Sequence, residues 1–270
     1  MTEAIDHLEP QDIKKVEQAL QMLEAGDPQK AEALLNRVIQ NTPNNYIYQW
    51  EENDTLFIKF WDQAEFVHYA TWQKQQDITK TVYWIKSAYP RAYYYLGFLS
   101  VKTQQYERAL TFLNRGHDLE PTNPKFNLEK AHVHLRLGQL ENALDLYHKI
   151  DTIGPHVSAR DVAVAMRGRG FVLIEMKKLD EAEAMFKQSL EFEPANKVAL
   201  NELRYIEHLR HGGSSVTPNV VATQGNSISN CVVCGQQTQN GIVINVSGMA
   251  VTICPKCKKK YTKKWWQFWK

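Results

Sequence analysis

Pro90 to Asn123 reads PRAYYYLGFLSVKTQQYERALTFLNRGHDLEPTN. It predicts two amphipathic helices with a break at Thr103–Gln105. Tyr93, Leu96, Gly97 and Ser100 fall on one side of the first; Ala109, Phe112, Leu113 and Gly116 fall on one side of the second, which closes at Pro121. Large and small residues alternate at i, i+3, i+4 and i+7, the spacing of a single helical face, so the two helices can pack closely and antiparallel. One such hairpin cannot bury its apolar face alone, so the pattern should recur in stacked neighbours.

It does recur. The Ala of the second helix and the Pro that ends it stand twelve residues apart as Ala31/Pro43, Ala109/Pro121, Ala143/Pro155 and Ala182/Pro194. Five before each Ala sits a Gly or a long polar residue (Gly26, Gln104, Gly138, Lys177), and four after it a bulky one (Leu35, Leu113, Tyr147, Phe186). Twelve before it sits a small one (Ala19, Gly97, Ala131, Gly170). Small residues permit close backbone approach, bulky ones fill the gap, and Pro ends a helix by lacking an N–H. The pattern resembles the tetratricopeptide repeat (TPR), with units near 12–45, 90–123, 124–157 and 163–196, preceded in the last case by a short insertion at Ser158–Val162. The fold class expected is all-α: a TPR-like α-solenoid of helix hairpins, with a small C-terminal β-hairpin module. Residues 197–210, with Val198, Leu203, Ile206 and Leu209 on one face, read as a capping helix.

Residues 46–89 lack the Ala–Pro anchor and hold Trp50, Trp61, Trp72 and Trp84. The first three are eleven apart, about three helical turns, so the expectation is a degenerate helix pair near 55–72 and 76–88 with these rings on one face. Two readings stand: oversized core packing at an irregular joint, or an aromatic-lined partner pocket.

The net charge of +2 hides an asymmetry. Residues 1–257 carry 26 Lys and Arg against 30 Asp and Glu, whereas the last thirteen hold six Lys and no acid. Attraction to polyanions should be confined to the tail. No apolar run is long enough for a membrane span, and MTEAIDHLEP lacks the apolar core of a secretory signal. With all four cysteines in one cluster, a reducing, cytoplasmic setting is expected, with a peripheral membrane location as the alternative.

Residues 212–230, GGSSVTPNVVATQGNSISN, are uncharged and rich in Gly, Ser, Asn and Thr, which reads as a flexible linker spanning roughly 25 Å. Beyond it Cys231-x-x-Cys234 and Cys254-x-x-Cys257 flank alternating apolar residues (Ile242, Ile244, Val246, then Val251, Ile253), a hairpin with a cysteine knuckle at each foot. Four thiolates at this spacing can close tetrahedrally on one structural Zn²⁺, with no open position for hydrolysis. Residues 231–257 resemble a zinc ribbon. They are also similar to rubredoxins, which would hold iron for electron transfer, although the intervening aromatic cluster is missing.

The tail at 258–270, KKKYTKKWWQFWK, forms a basic aromatic helix on a helical wheel. Tyr261, Trp265, Phe268 and Trp269 lie on one side with Trp266 at the margin, Lys263 opposite and Lys264 flanking. It suits an anionic membrane surface, a protein partner or, less well, nucleic acid.

The TPR resemblance implies that first helices of successive units line a groove for a peptide or helix. By position that groove comprises Tyr94, Phe98 and Lys102; Lys125, Leu128, His132 and Arg136; and Arg167 and Phe171. It would be aromatic and basic, suited to an acidic peptide with apolar anchors. The carboxylate clamp of chaperone-binding relatives has Asn where this chain has Phe98 or His132. No nucleophile elbow, zinc-protease motif or phosphate loop occurs, so a non-enzymatic adaptor is the expected class.

Overall fold

The computed structural model describes residues 9–212 in full, together with the backbone of five short strands beyond them. The chain divides into two compact units at Leu200 and Asn201.

The first unit opens with α1 (Glu9–Ala25) and α2 (Pro28–Gln40). Gly26 takes φ +83° in the turn, the left-handed region where a β-carbon is costly. Asp27 caps α2 by accepting from Lys30 N, and Pro28 fills an early position where an N–H would be unpaired. The chain then leaves the helical pattern: β1 (Gln49–Glu52), β2 (Thr55–Phe60), α3 (Gln63–Gln75) and β3 (Thr81–Lys86). It returns with α4 (Tyr89–Lys102), α5 (Tyr106–Leu119), α6 (Pro124–Arg136), α7 (Leu140–His148), α8 (Ala159–Glu175) and α9 (Leu179–Phe192). The helix α10 (Lys197–Arg210) crosses the division between the units.

Four helix hairpins stack as the repeat spacing requires. The residue five before each anchor alanine is the left-handed one: besides Gly26, Gln104, Gly138 and Lys177 have φ of 59°, 71° and 61°. The small residue twelve before the anchor lies against the bulky one four after it. A β-carbon on Gly97 would stand 2.7 Å from Leu113, and one on Gly170 the same distance from Phe186. Between hairpins the device repeats, with the Phe126 ring on Gly116 and the Tyr147 ring on Gly168. α2, α5 and α9 end two or three residues before Pro43, Pro121 and Pro194, since the residue before Pro disfavours the helical region. α7 stops earlier, at His148, leaving Pro155 in a loop. The expected insertion at 158–162 is mostly helix, because Ser158 and Asp161 form a capping box that starts α8.

Residues 46–89 are not a degenerate helix pair, and the first unit is therefore not all-α. β1 and β2 are an antiparallel hairpin closed by Asn53 and Asp54, both left-handed (φ 48° and 59°), and β3 pairs parallel to β2 after the α3 crossover. Leu56, Ile58 and Phe60 alternate toward α3, where they meet Phe66, Tyr69, Val82 and Trp84. Trp50, Trp61 and Trp72 lie on β1, after β2 and on α3, so their spacing of eleven stacks nothing. Nor does this insert stand in the stack as a repeat. α2 packs directly on α4, and Val16, Ala31, Leu35, Val38, Tyr89, Ala92 and Leu96 share one core across the excursion.

In the second unit β7 (Ile242–Val246) and β8 (Met249–Ile253) form an antiparallel hairpin, the one expected between the cysteine pairs, after β4 (Thr223–Gln224), β5 (Ser229–Asn230) and β6 (Gln237–Thr238). β4 pairs with β7 and β5 with β6. The stretch read as a linker thus contributes two strands to this unit, a pairing that its uncharged, turn-rich composition concealed.

Candidate functional site

The first helices α4, α6 and α8 run side by side and carry the residues expected to line a groove. Part of that first-helix face is covered by the chain itself. Asp62 caps α3 by accepting from Glu65 N, and Glu65 in turn accepts from Trp61 N at 2.7 Å, which holds the indole at the junction. The Trp61 ring meets Tyr94 and Phe126 edge-on, with centroids 5.2 and 5.6 Å away. Its Nε1 donates to Glu120 Oε2 at 2.7 Å. Glu65 pairs with Lys125, whose ammonium sits 5.0 Å from the Trp61 ring centre. Further along α3, a His68 ring nitrogen bonds Gly154 O at 2.8 Å, and His156 packs 5.3 Å from Tyr69. The insert therefore runs from the second hairpin to the loop before α8.

Electrostatics follow from that burial. Desolvation, then the nearby Glu65 charge, pushes the Glu120 carboxyl up to about 8, against the bonds from Asn123 and Trp61 and the charge of Lys125. Burial opposes the charge on Lys125, but Glu65, Asp62 and Asp161 outweigh it and hold its pKa above the usual value. Burial alone lifts Glu129, on α6, to about 7.

Glu120 also belongs to a repeated joint. Asn123 Nδ2 donates to Glu120 at 2.9 Å while Asn123 Oδ1 accepts from Lys125 N, tying the end of α5 to the start of α6. Glu193 and Asn196 do the same between α9 and α10: Nδ2 to Glu193 at 3.1 Å, Oδ1 from Ala199 N at 3.1 Å. Where Trp61 reaches Glu120, Arg167 reaches Glu193. Sequence reasoning missed Glu65 and Glu120, and took Trp61 as one ring of an aromatic helix face. A usable signal was present in the matching runs Glu120-Pro-Thr-Asn123 and Glu193-Pro-Ala-Asn196.

The nine expected groove residues separate accordingly. Tyr94 and Lys125 are covered by Trp61 and Glu65. Leu128 packs into the core of the third hairpin, Phe171 meets Phe186 at 5.4 Å, and Arg167 is neutralised by Glu193. The other four are Phe98, Lys102, His132 and Arg136. Lys102 Nζ lies 4.7 Å from the Phe98 ring centre, and burial lowers its pKa. Arg136 Nε donates to His132 Nε2 at 3.2 Å, and burial, then the Arg136 charge, pushes that imidazole down to about 4, so it is neutral at pH 7.

Cys231, Cys234, Cys254 and Cys257, and the tail from Tyr261 to Trp269, lie outside the described residues. Among the described residues no three His, Cys, Asp or Glu gather as metal ligands, and no helix is long and apolar enough to cross a membrane.

Residues 168–196 match the tetratricopeptide repeat family, a span that takes in the second half of α8 and all of α9. Among solved structures, the first TPR of Spaghetti (RPAP3) bound to the HSP90 peptide SRMEEVD is 26% identical over 45% of this chain and 93% of that one, with a TM-score of 0.40. MamA from Desulfovibrio magneticus RS-1 is 15% identical over 74% and 86%, at 0.48. A tetratricopeptide repeat protein from Parabacteroides merdae is 18% identical over 75% and 61%, at 0.47. No curated protein matches the chain.

Proposed function

We propose that the chain is a non-enzymatic protein-interaction adaptor whose repeat unit holds a client segment on the first-helix face. The observation that carries this reading is the division of that face. Its end at Tyr94 and Lys125 is occupied by the insert, whereas further along Lys102 lies beside the Phe98 ring and Arg136 is hydrogen-bonded to His132. This chemistry favours an acidic segment with an apolar anchor. The test is fluorescence anisotropy of a labelled peptide bearing three Glu and one Phe, against the full chain and Lys102→Glu or Arg136→Glu. Loss of binding in both variants supports the assignment; unchanged affinity defeats it.

The second unit is read as a zinc-stabilised module for a second partner or an anionic membrane surface, reached through the basic aromatic tail. Support comes from the donor set, four cysteines in two Cys-x-x-Cys pairs, and from the β7–β8 hairpin between them. β5 and β8 lie near one another, and Cys231 and Cys254 are the residues that follow them. The four thiolates would hold the ion and leave it no open position, a structural role. Elemental analysis separates zinc from the iron of a rubredoxin-like site.

A further inference from the structure

The insert has two faces: one packs on α3, and the other is closed at one end, where Lys59 pairs with Glu9 of α1. Toward α3 it buries Leu56, Ile58, Phe60 and Trp84. The opposite face carries an aromatic residue on each strand in a single row, since Trp50 stands opposite Phe57 and Phe57 opposite Tyr83. The Trp50 and Phe57 rings stack with centroids 5.2 Å apart and planes 8° from parallel, and Phe57 and Tyr83 follow at 5.5 Å. Tyr83 is 59% exposed. A row of three rings reaching solvent gains nothing for the α3 core and adds an association hazard, so it calls for a partner.

Charge selects that partner. Glu52 follows Trp50 by two, hence on the same face, on the rung where Glu52 pairs with Thr55 and Thr55 with Thr81. It makes no hydrogen bond or ion pair among the described residues and is exposed. Asp54 lies in the adjoining turn. The cations nearby are engaged: Lys80 by Glu51 at 2.6 Å, and Lys59, at the closed end of the same face and 9% exposed, by Glu9 at 2.6 Å. Phosphate-rich surfaces meet repulsion here, whereas a cation finds ring faces and an open carboxylate together.

We propose that the Trp50–Phe57–Tyr83 row docks a segment of a partner protein through an arginine or lysine side chain, seated on the rings with Glu52 at its rim. This surface is separate from the first-helix face and does not depend on its role. The experiment titrates the ¹⁵N-labelled full chain with a Gly-Ser peptide carrying two arginines, and with the same peptide carrying citrulline, the neutral isostere. The expected result is a shift of the Trp50 indole N–H signal and affinity roughly three- to tenfold weaker for citrulline. Tyr83→Ser and Glu52→Gln, both exposed and outside the α3-facing core, should weaken arginine binding by a similar factor, with folding checked by circular dichroism. No binding, equal affinity for citrulline, insensitivity to both variants, or saturable binding of oligo-dT at Trp50 would each overturn the proposal.

Discussion

Trp61 donates its indole N–H to Glu120 Oε2 at 2.7 Å, and both residues are buried although 59 positions separate them. This bond, with the Glu65–Lys125 pair beside it, fastens a sheet-containing insert onto a helical stack that closes without it. Trp61→Phe keeps the ring packing but removes a donor from a buried carboxyl. The expected cost is about 1–3 kcal/mol of stability, read from urea unfolding.

Stability should fall as pH rises through the window set by Glu120. Its folded pKa, about 8, lies above the 4.5 of a free glutamate, so between those values the folded chain holds a proton that the unfolded chain has released. That contribution is complete below pH 4.5 and lost as pH climbs toward 8. Glu129, at about 7, has the same sign. His132, pushed down to about 4, acts oppositely below pH 6.5. Glu120→Gln should therefore gain stability relative to the native chain as pH goes from 5 to 8.5. Parallel unfolding midpoints across that range would show that the carboxyl titrates normally.

Gly168→Ala should destabilise the third and fourth hairpins. The added methyl lands in the Tyr147 ring, at a cost of about 1–3 kcal/mol for overpacking, against a gain of about 1 kcal/mol from helix propensity. Gly154→Ala, where nothing lies within 4 Å, is the control. A lower Tm for the first and not the second is the expected pattern in thermal melts.

Glu65→Gln should free the Lys125 ammonium and extend the cationic end of the first-helix face. Affinity for the acidic, Phe-bearing peptide should rise about two- to fivefold and become more salt-dependent. Unchanged affinity would place the peptide wholly beyond the insert.

Chelation should act on the second unit only. The four-cysteine module is expected to carry one zinc per chain, and its removal should release about four thiols to a thiol reagent while the helical circular dichroism of the first unit persists. A chain isolated with iron, or with no metal and four reactive thiols, would contradict this.

Helix pairing was legible in the chain because it is local: alanine anchors, glycine spacing and terminating prolines each act within one hairpin, and a 3.6-residue period shows through the identity of neighbours. The β–β–α–β insert was misread for the converse reason. Its signals, alternation at Leu56, Ile58 and Phe60 and the Asn53-Asp54 turn, are short, and tryptophans spaced by eleven imitate a helix. Of the groove, sequence gave positions on first helices, since those follow from the repeat frame. Which cations stay available was decided by partners far along the chain, Glu65 for Lys125 and Glu193 for Arg167, and such pairs exist only once packing brings remote residues within a few ångströms.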